Sequence, residues 1–317
     1  MISVIIPNYN GASYLEPCLD SVLLQSAGPD IEIVLIDNGS TDGSVAWVRE
    51  RFPSVRVIAN AENLGFTRAV NQGIAAASGE LLLLLNNDTV MQPGSLLKLQ
   101  RSLELFGDEA AGVQPLLLWA GDPEIIDSAG IAIGPRFVAW DDLRGQPRAS
   151  APTEEREIFG VCFACALLRR SVFDRCGLLD PDFYAEWDDV EFCLRARWHG
   201  YRFFLIHEAC VLHHRSPTSQ REPQAKFIRL RRNQVLTYVK GLPAAGAAAL
   251  TLYRLQKDIG NIGHFLRARE LKAVTTSWIE VMRLLPVMLA RRRRLRRKAV
   301  LSARQMRALL RRFVQRG

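Results

Sequence analysis

Ile33-Val34-Leu35-Ile36-Asp37-Asn38-Gly39-Ser40-Thr41-Asp42 joins an unbroken apolar run to a polar cluster that carries two carboxylates. A β-rich run without alternation reads as a strand buried on both faces, which predicts a parallel sheet covered by helices. The same arrangement recurs on either side. Upstream, Ser3-Val4-Ile5-Ile6 leads into Pro7-Asn8-Tyr9-Asn10-Gly11, and downstream Leu81 to Leu85 leads into Asn86-Asn87-Asp88. Three apolar runs each stop at a polar cluster, and α/β sheets bind ligands outside the carboxyl ends of their strands.

Working outward, Ala12 to Gln25 carries Leu15, Leu19, Val22 and Leu23 at helical spacing. Gly43 to Phe52 is a second short helix, entered through Ser40-Thr41-Asp42, whose side chains suit N-capping. Val55 to Ala59 is a third strand, Thr67 to Ala77 a helix, Leu81 to Leu85 a fourth strand and Pro93 to Phe106 a helix. Strand and helix alternate through short connections, the pattern of a doubly wound sheet. From about 112 to 160 the periodicity dissolves into turns, with short strands expected near 113–118, 131–134 and 158–167. This predicts a smaller, partly antiparallel region. Ser171 to Cys176 and Asp188 to His199 read as helices, the latter with a modest stabilising pair, Glu191 and Arg195, at i,i+4. Beyond Pro223 only helices are expected.

With 317 residues, 48% hydrophobic and 23% charged, the chain has globular composition, which excludes global disorder. The net charge of +8 is unevenly placed: residues 291–317 hold twelve Lys/Arg and no acid, leaving 29 bases against 33 acids elsewhere. A partner for the tail is therefore expected, not one for the whole surface. Met1 leads straight into a strand, leaving no room for a secretory signal, so the six cysteines read as reduced thiols packed as small apolar residues. Cys162-x-x-Cys165 has no second pair at metal-ligand spacing. No stretch of ~18 uninterrupted apolar residues suggests a spanning helix.

The order of these motifs resembles the nucleotide-sugar-binding half of family 2 glycosyltransferases, inverting enzymes of GT-A fold, over roughly residues 1–215. The rhamnosyltransferase-like members are the nearest in kind. The resemblance implies an α/β fold with a doubly wound, mostly parallel sheet flanked by helices, and the composition beyond Pro223 adds a helical C-terminal extension. It divides the chain into 1–222, with a nucleotide-sugar-binding half 1–110 and an acceptor-side half 111–222, and 223–317.

Site residues follow from the same resemblance. Asp37 matches the carboxylate that reads a pyrimidine ring N–H of the donor, although it also suits an Asx-turn. Pro7, Asn8 and Tyr9 would line base and ribose, and Arg68, in Asn63-Leu64-Gly65-Phe66-Thr67-Arg68, would lie near the nucleotide. Asn86-Asn87-Asp88 occupies the place of the D-x-D metal motif. Asp88 is the expected ligand for Mg²⁺ or Mn²⁺, while Asn86 replaces the first acid and, with Asn87, contacts donor or metal. Leu179-Asp180-Pro181-Asp182-Phe183-Tyr184 and Trp187-Asp188-Asp189-Val190-Glu191 resemble the acceptor segment. There Asp189 would be the general base, with Asp188 and Trp187 at the acceptor. Asp188 and Asp189 would also suit a helix N-terminus. His213, 24 residues beyond Asp189, would be a further metal ligand.

The activity implied is transfer of a sugar, possibly rhamnose in type, from a dTDP- or UDP-linked donor to a hydroxyl of a lipid-linked or polysaccharide acceptor. The contrasting reading is a non-catalytic nucleotide-sugar-binding or membrane scaffold protein on the same fold. Absence of Q-x-x-R-W argues against a processive synthase. Residues 267–290 carry an apolar helical stripe that Pro286 should kink or interrupt. Residues 291–317 then place Leu295, Ala299, Met306, Leu310 and Phe313 on one face of a basic helix, which predicts contact with an anionic membrane surface, while a helix docked on the body remains open. The expected location is cytoplasmic and peripheral at the inner membrane face. No nucleic-acid partner is expected, because aromatic interleaving is absent.

Overall fold

The computed structural model describes residues 1–27, 30–215 and 222–315. Its parallel core is β1 (Ile2–Asn8), β2 (Ile31–Asp37), β3 (Arg56–Ala59) and β4 (Leu81–Leu85), in spatial order β3-β2-β1-β4. The helices α1 (Ala12–Leu23), α2 (Ser44–Arg51) and α3 (Phe66–Ala76) connect them. Along β1, Ile2, Val4 and Ile6 pack into one apolar core and Ile5 into the other. Both faces are dry, so the run has no reason to alternate. The β1–β2 register pairs Asn8 with Asp37, which brings the two polar clusters level.

The second half continues this sheet. β11 (Cys165–Arg169) lies antiparallel between β4 and β6 (Ala110–Trp119), and β12 (Arg202–His213) runs parallel to β6. β7 (Asp122–Ser128) pairs with β6, while β10 (Arg156–Ile158) and β5 (Thr89–Met91) pair with β12, all antiparallel. β8 (Ile131–Ile133) and β9 (Ala139–Asp141) form a separate two-stranded sheet. The strand expected over 158–167 is thus two strands, divided at 159–164. β5 was not legible in sequence, being three residues long. Its register sets His213 opposite Thr89, beside Asp88.

Helices α4 (Ser95–Leu105), α5 (Arg170–Cys176) and α6 (Asp188–Trp198) complete this part, followed by α7 (Pro223–Gly241), α8 (Ala244–Gly260), α9 (Ile262–Arg267), α10 (Leu271–Lys298) and α11 (Ala303–Phe313). Two expectations are corrected here. First, α10 runs unbroken through Pro286. Val281, Met288 and Leu295 are buried on both sides of the proline, so packing sustains the helix despite the missing N–H donor. The helix is also long and apolar enough to cross a bilayer by length and composition, yet its inward face is part of the protein core.

Second, the tail does not offer its apolar face to lipid. Leu295 and Met306 are buried, and Ala299, Leu310 and Phe313 pack against the same core. The backbone N–H of Gln315 donates to Ile133 O at 2.9 Å, and the Arg296 guanidinium lies 3.2 Å from the Trp198 ring centroid. The amphipathic pattern is real, but the protein body covers it. Arg316 and Gly317 of the tail lie outside the described residues.

The expected i,i+4 pair of Glu191 and Arg195 is present at 3.1 Å, and it belongs to a larger buried network. Both are buried, and Lys240 of α7 bridges Glu191 at 2.8 Å and Asp180 at 2.6 Å. Burial works to raise the Glu191 carboxyl, but the charges of Arg195 and Lys240 outweigh it and hold the group down at about 2.

Candidate active site

The donor-side cluster is built at the ends of β1, β2 and β4. Asn8 and Asp37 are both 2% exposed, and Asn8 Nδ2 donates to Asp37 Oδ1 at 2.8 Å. Asn87 Nδ2 in turn donates to Asn8 Oδ1 at 2.6 Å. Asn8 thus links three strand ends and positions Asp37. Asp37 Oδ2 accepts the Ser40 N–H at 2.9 Å, so its turn role is present alongside any ligand role. Pro7, Tyr9, Asn86 and Asn87 sit half-buried around this cluster, whereas Arg68 stands exposed on α3. Gly65, with φ +87°, opens α3 in close approach to the Tyr184 ring, which a Cβ would meet at 2.5 Å. That contact, with the Thr67 N–H donating to Tyr184 O at 3.0 Å, seats the acceptor loop on the donor half.

Asp88, 5% exposed, faces His213 across a strand pairing, with Oδ1 at 3.4 Å from Nε2. The other ring nitrogen, Nδ1, lies 2.6 Å from Asp127 Oδ2, and Arg215 pairs with Asp127 from the far side. Burial works to lower the His213 pKa, but hydrogen bonds to Asp127 and Asp88 outweigh it and lift the group to about 9. A carboxylate holding one imidazole nitrogen while the other faces a second carboxylate is the arrangement that orients histidine toward a metal. Asp88 and His213 would fit a divalent cation only where the ion displaces the Nε2 proton that the raised pKa retains. Among the described residues no third His, Cys, Asp or Glu joins them, so remaining positions would fall to donor and water oxygens.

The acceptor-side acids stand at the N-terminus of α6, behind a strained turn. Tyr184, Glu186 and Trp187 have φ of 65°, 71° and 64°, in the left-handed region. Buried Asn233 of α7 holds this turn, its Nδ2 donating to the carbonyls of Phe183 at 3.0 Å, Ala185 at 2.8 Å and Glu186 at 2.7 Å. Trp187 is half-buried, edge-on to Tyr238 at 6.5 Å. Asp188 is buried, and that burial, followed by the neighbouring Asp189 charge, pushes its carboxyl well above the usual range. Asp189 is half-buried; burial and the Asp141 charge push it up to about 7. Asp141 is itself raised, by burial and by Asp127.

The two halves of the site therefore meet through β7 and β9. Asp127 contacts His213 directly, its charge helps raise Asp141, and the charge of Asp141 helps raise Asp189. Asp127, Asp141 and Asn233 were not read from the sequence. The only local signal was an acid ending each of two short apolar segments, Ile125-Ile126-Asp127 and Ala139-Trp140-Asp141.

Residues 3–177 match the family model described as glycosyl transferase family 2. An N-acetylglucosaminyl-diphospho-decaprenol L-rhamnosyltransferase of Mycobacterium tuberculosis is 27% identical over 248 residues, covering 70% of this chain and 79% of that protein. An uncharacterized glycosyltransferase of Nostoc sp. is 36% identical over 200 residues, 59% of this chain and 56% of its own length, so the match spans little more than half of that relative. Among solved structures, the mannosyltransferase PcManGT from Pyrobaculum calidifontis, in complex with GDP-Man and Mn²⁺, aligns with a TM-score of 0.54 at 18% identity, covering 94% of this chain and 85% of that one. At that identity the likeness speaks for the fold, which is of GT-A type.

Proposed function

Since this chain belongs to glycosyltransferase family 2 and is a glycosyltransferase, we propose that it is an inverting enzyme that moves a sugar from a nucleoside diphosphate to a hydroxyl of a lipid-linked or polysaccharide acceptor. The observation that carries this reading is the Asp88–His213 contact, held by Asp127 on the other ring nitrogen, together with the acids Asp188 and Asp189 that open α6. Asp189, with a pKa of about 7, is basic enough near neutrality to take the acceptor proton while remaining largely deprotonated just above it. As the acceptor oxygen bonds to the anomeric carbon, the bond from that carbon to the diphosphate oxygen breaks, which inverts the configuration, and the proton ends on Asp189. Asp37, Asn87, Pro7, Tyr9 and Arg68 would hold the nucleotide, with Asn8 keeping Asp37 in place. Asp88 and His213 would hold Mg²⁺ or Mn²⁺, with Asn86 adjacent; the ion, when bound, offsets charge growing on the leaving diphosphate. Asp127 keeps the imidazole turned toward Asp88. Asp188 and Trp187 would meet the acceptor.

The relative from M. tuberculosis supports rhamnose as the first candidate sugar and an acceptor sugar carried on a lipid diphosphate; the donor in this reading is dTDP- or UDP-linked. Such an acceptor would bring the enzyme to the inner face of the membrane. Since the tail's apolar face is covered, the contact falls to α8 and α9, where Leu252, Leu255, Ile259, Ile262 and Leu266 stand exposed at steps of three and four. Between residues 244 and 298 nine Lys/Arg are exposed and none of the three acids is, which suits an anionic surface. In this reading residues 1–222 carry the chemistry, and 223–317 brace the acceptor turn and meet the membrane.

The test is Asp189→Asn, assayed with dTDP-rhamnose and UDP-sugars. Donor binding should persist while transfer falls by at least the ~10²-fold typical of losing a general base. Near-normal transfer would remove Asp189 from this role.

A further inference from the structure

A cavity of about 430 Å³ lies away from the donor cluster, between α5, the start of the acceptor segment and the C-terminal end of α10. Six Lys/Arg side chains line it against two carboxylates, Asp174 and Asp180. Its floor is already neutralised. Arg195 spends all five N–H donors on Glu191 and on the carbonyls of Cys176, Gly177 and Leu178. Lys240 and Arg291 both pair with Asp180. What remains is Arg175 from α5 and Arg294 and Lys298 from α10, none of which pairs with a carboxylate among the described residues. The exposed Asp174 is the one acid left to face them.

Between these groups sits His199, at the end of α6. It is 6% exposed, and its buried Nδ1 has no hydrogen-bond partner. Burial, with the positive charges of Arg175, Arg195 and Lys298, holds the imidazole below its ordinary pKa. Three exposed cations without a carboxylate partner among the described residues, Arg175 of them also lying over the Tyr201 ring, converge with this buried imidazole on one concavity of net positive charge.

We propose that this cavity binds a compact phosphate-bearing anion, a phosphate or diphosphate group, that ties the end of α10 to the catalytic body. Arg175, Arg294 and Lys298 supply charge-assisted donors and His199 supplies a ring N–H. The same chemistry is offered by a soluble phosphate compound or by a phospholipid headgroup.

Inorganic pyrophosphate is the probe, titrated with chelator present into the full chain while His199 is followed by NMR. Wild type should bind saturably, with the His199 pKa rising. Arg294→Ser/Lys298→Ser, at exposed positions, should weaken binding at least tenfold. Arg293→Ser/Arg297→Ser removes the same charge from the same helix outside the cavity and should leave it unchanged. Equal affinity of wild type and Arg294→Ser/Lys298→Ser, an unmoved His199, or equal losses in both double variants would each overturn the site. Once the site holds, competition by phosphatidate vesicles, but not phosphatidylcholine vesicles, assigns it to a headgroup, and lack of competition assigns it to a soluble anion.

Discussion

Replacing Asp141 with Asn tests whether the neighbours of Asp189 set its basicity. Burial first, and the Asp141 charge next, lift the Asp189 carboxyl from 3.8 to about 7. An isosteric amide leaves the burial in place and removes the second cause. Its share is the smaller one, so the pKa of Asp189 should fall by an amount on the order of one unit. The sign follows from which form works. A base acts deprotonated, so lowering its pKa extends activity to more acidic solution. The acid limb of kcat/KM should rise through about pH 7 in wild type and through about pH 6 in Asp141→Asn. At pH 6 the ionised share then grows about fivefold, from roughly a tenth to roughly a half, while the weaker base slows transfer about threefold at every pH. The net change is a gain of a little under about twofold at pH 6 and a loss of about threefold above pH 8. Profiles of kcat/KM from pH 5 to 9 at saturating Mn²⁺ read both effects. A limb that stays near pH 7 or moves upward refutes the coupling between Asp141 and Asp189.

Asp127→Asn should free the His213 ring and weaken Mn²⁺ by the ~10–100-fold seen when a metal-orienting partner is lost, measured by Mn²⁺ titration of activity. Full transfer in excess chelator would count against the metal altogether. Asn233→Ala should lose the bonds to three carbonyls of the strained turn, lowering stability by about 1–3 kcal/mol in denaturant melts. Its kcat should drop with donor affinity kept, because the turn serves the acceptor side. Leu255→Glu/Ile259→Glu/Ile262→Glu should abolish sedimentation with anionic vesicles without loss of fold, whereas deleting α11 should lower Tm by uncovering the core around Met306. Unchanged vesicle binding by the triple variant would refute the α8–α9 face.

Much of the donor half is legible because its signals are local. An apolar run, a change of period and a polar cluster lie within ten residues of one another, so β1, β2 and β4 and the placement of Asp37 and Asp88 at their ends follow from short-range pattern alone. The pair Asp188-Asp189 at a helix start is equally local. The partners that give these groups their chemistry are not. Asp127 reaches His213 across 86 residues, and Asn233 reaches Glu186 across 47. Asp141 lifts Asp189 through space from a separate two-stranded sheet. Nothing in a window of sequence registers such pairings, because they exist only once strands have found their neighbours.

Charge and amphipathicity have the same limit. The sequence by itself determined that residues 291–317 carry twelve bases and an apolar helical face, and that Glu191 and Arg195 share one side of a helix. Periodicity states that a face must be covered but not by what, since burial against protein and burial in lipid reward the same pattern. Tertiary structure decided that the protein body covers Met306 and Leu310 and that Lys240 joins the Glu191–Arg195 pair in a buried network. It also left the open apolar stripe on α8 and α9 instead, because dense packing around the catalytic body allots each side chain only one set of neighbours.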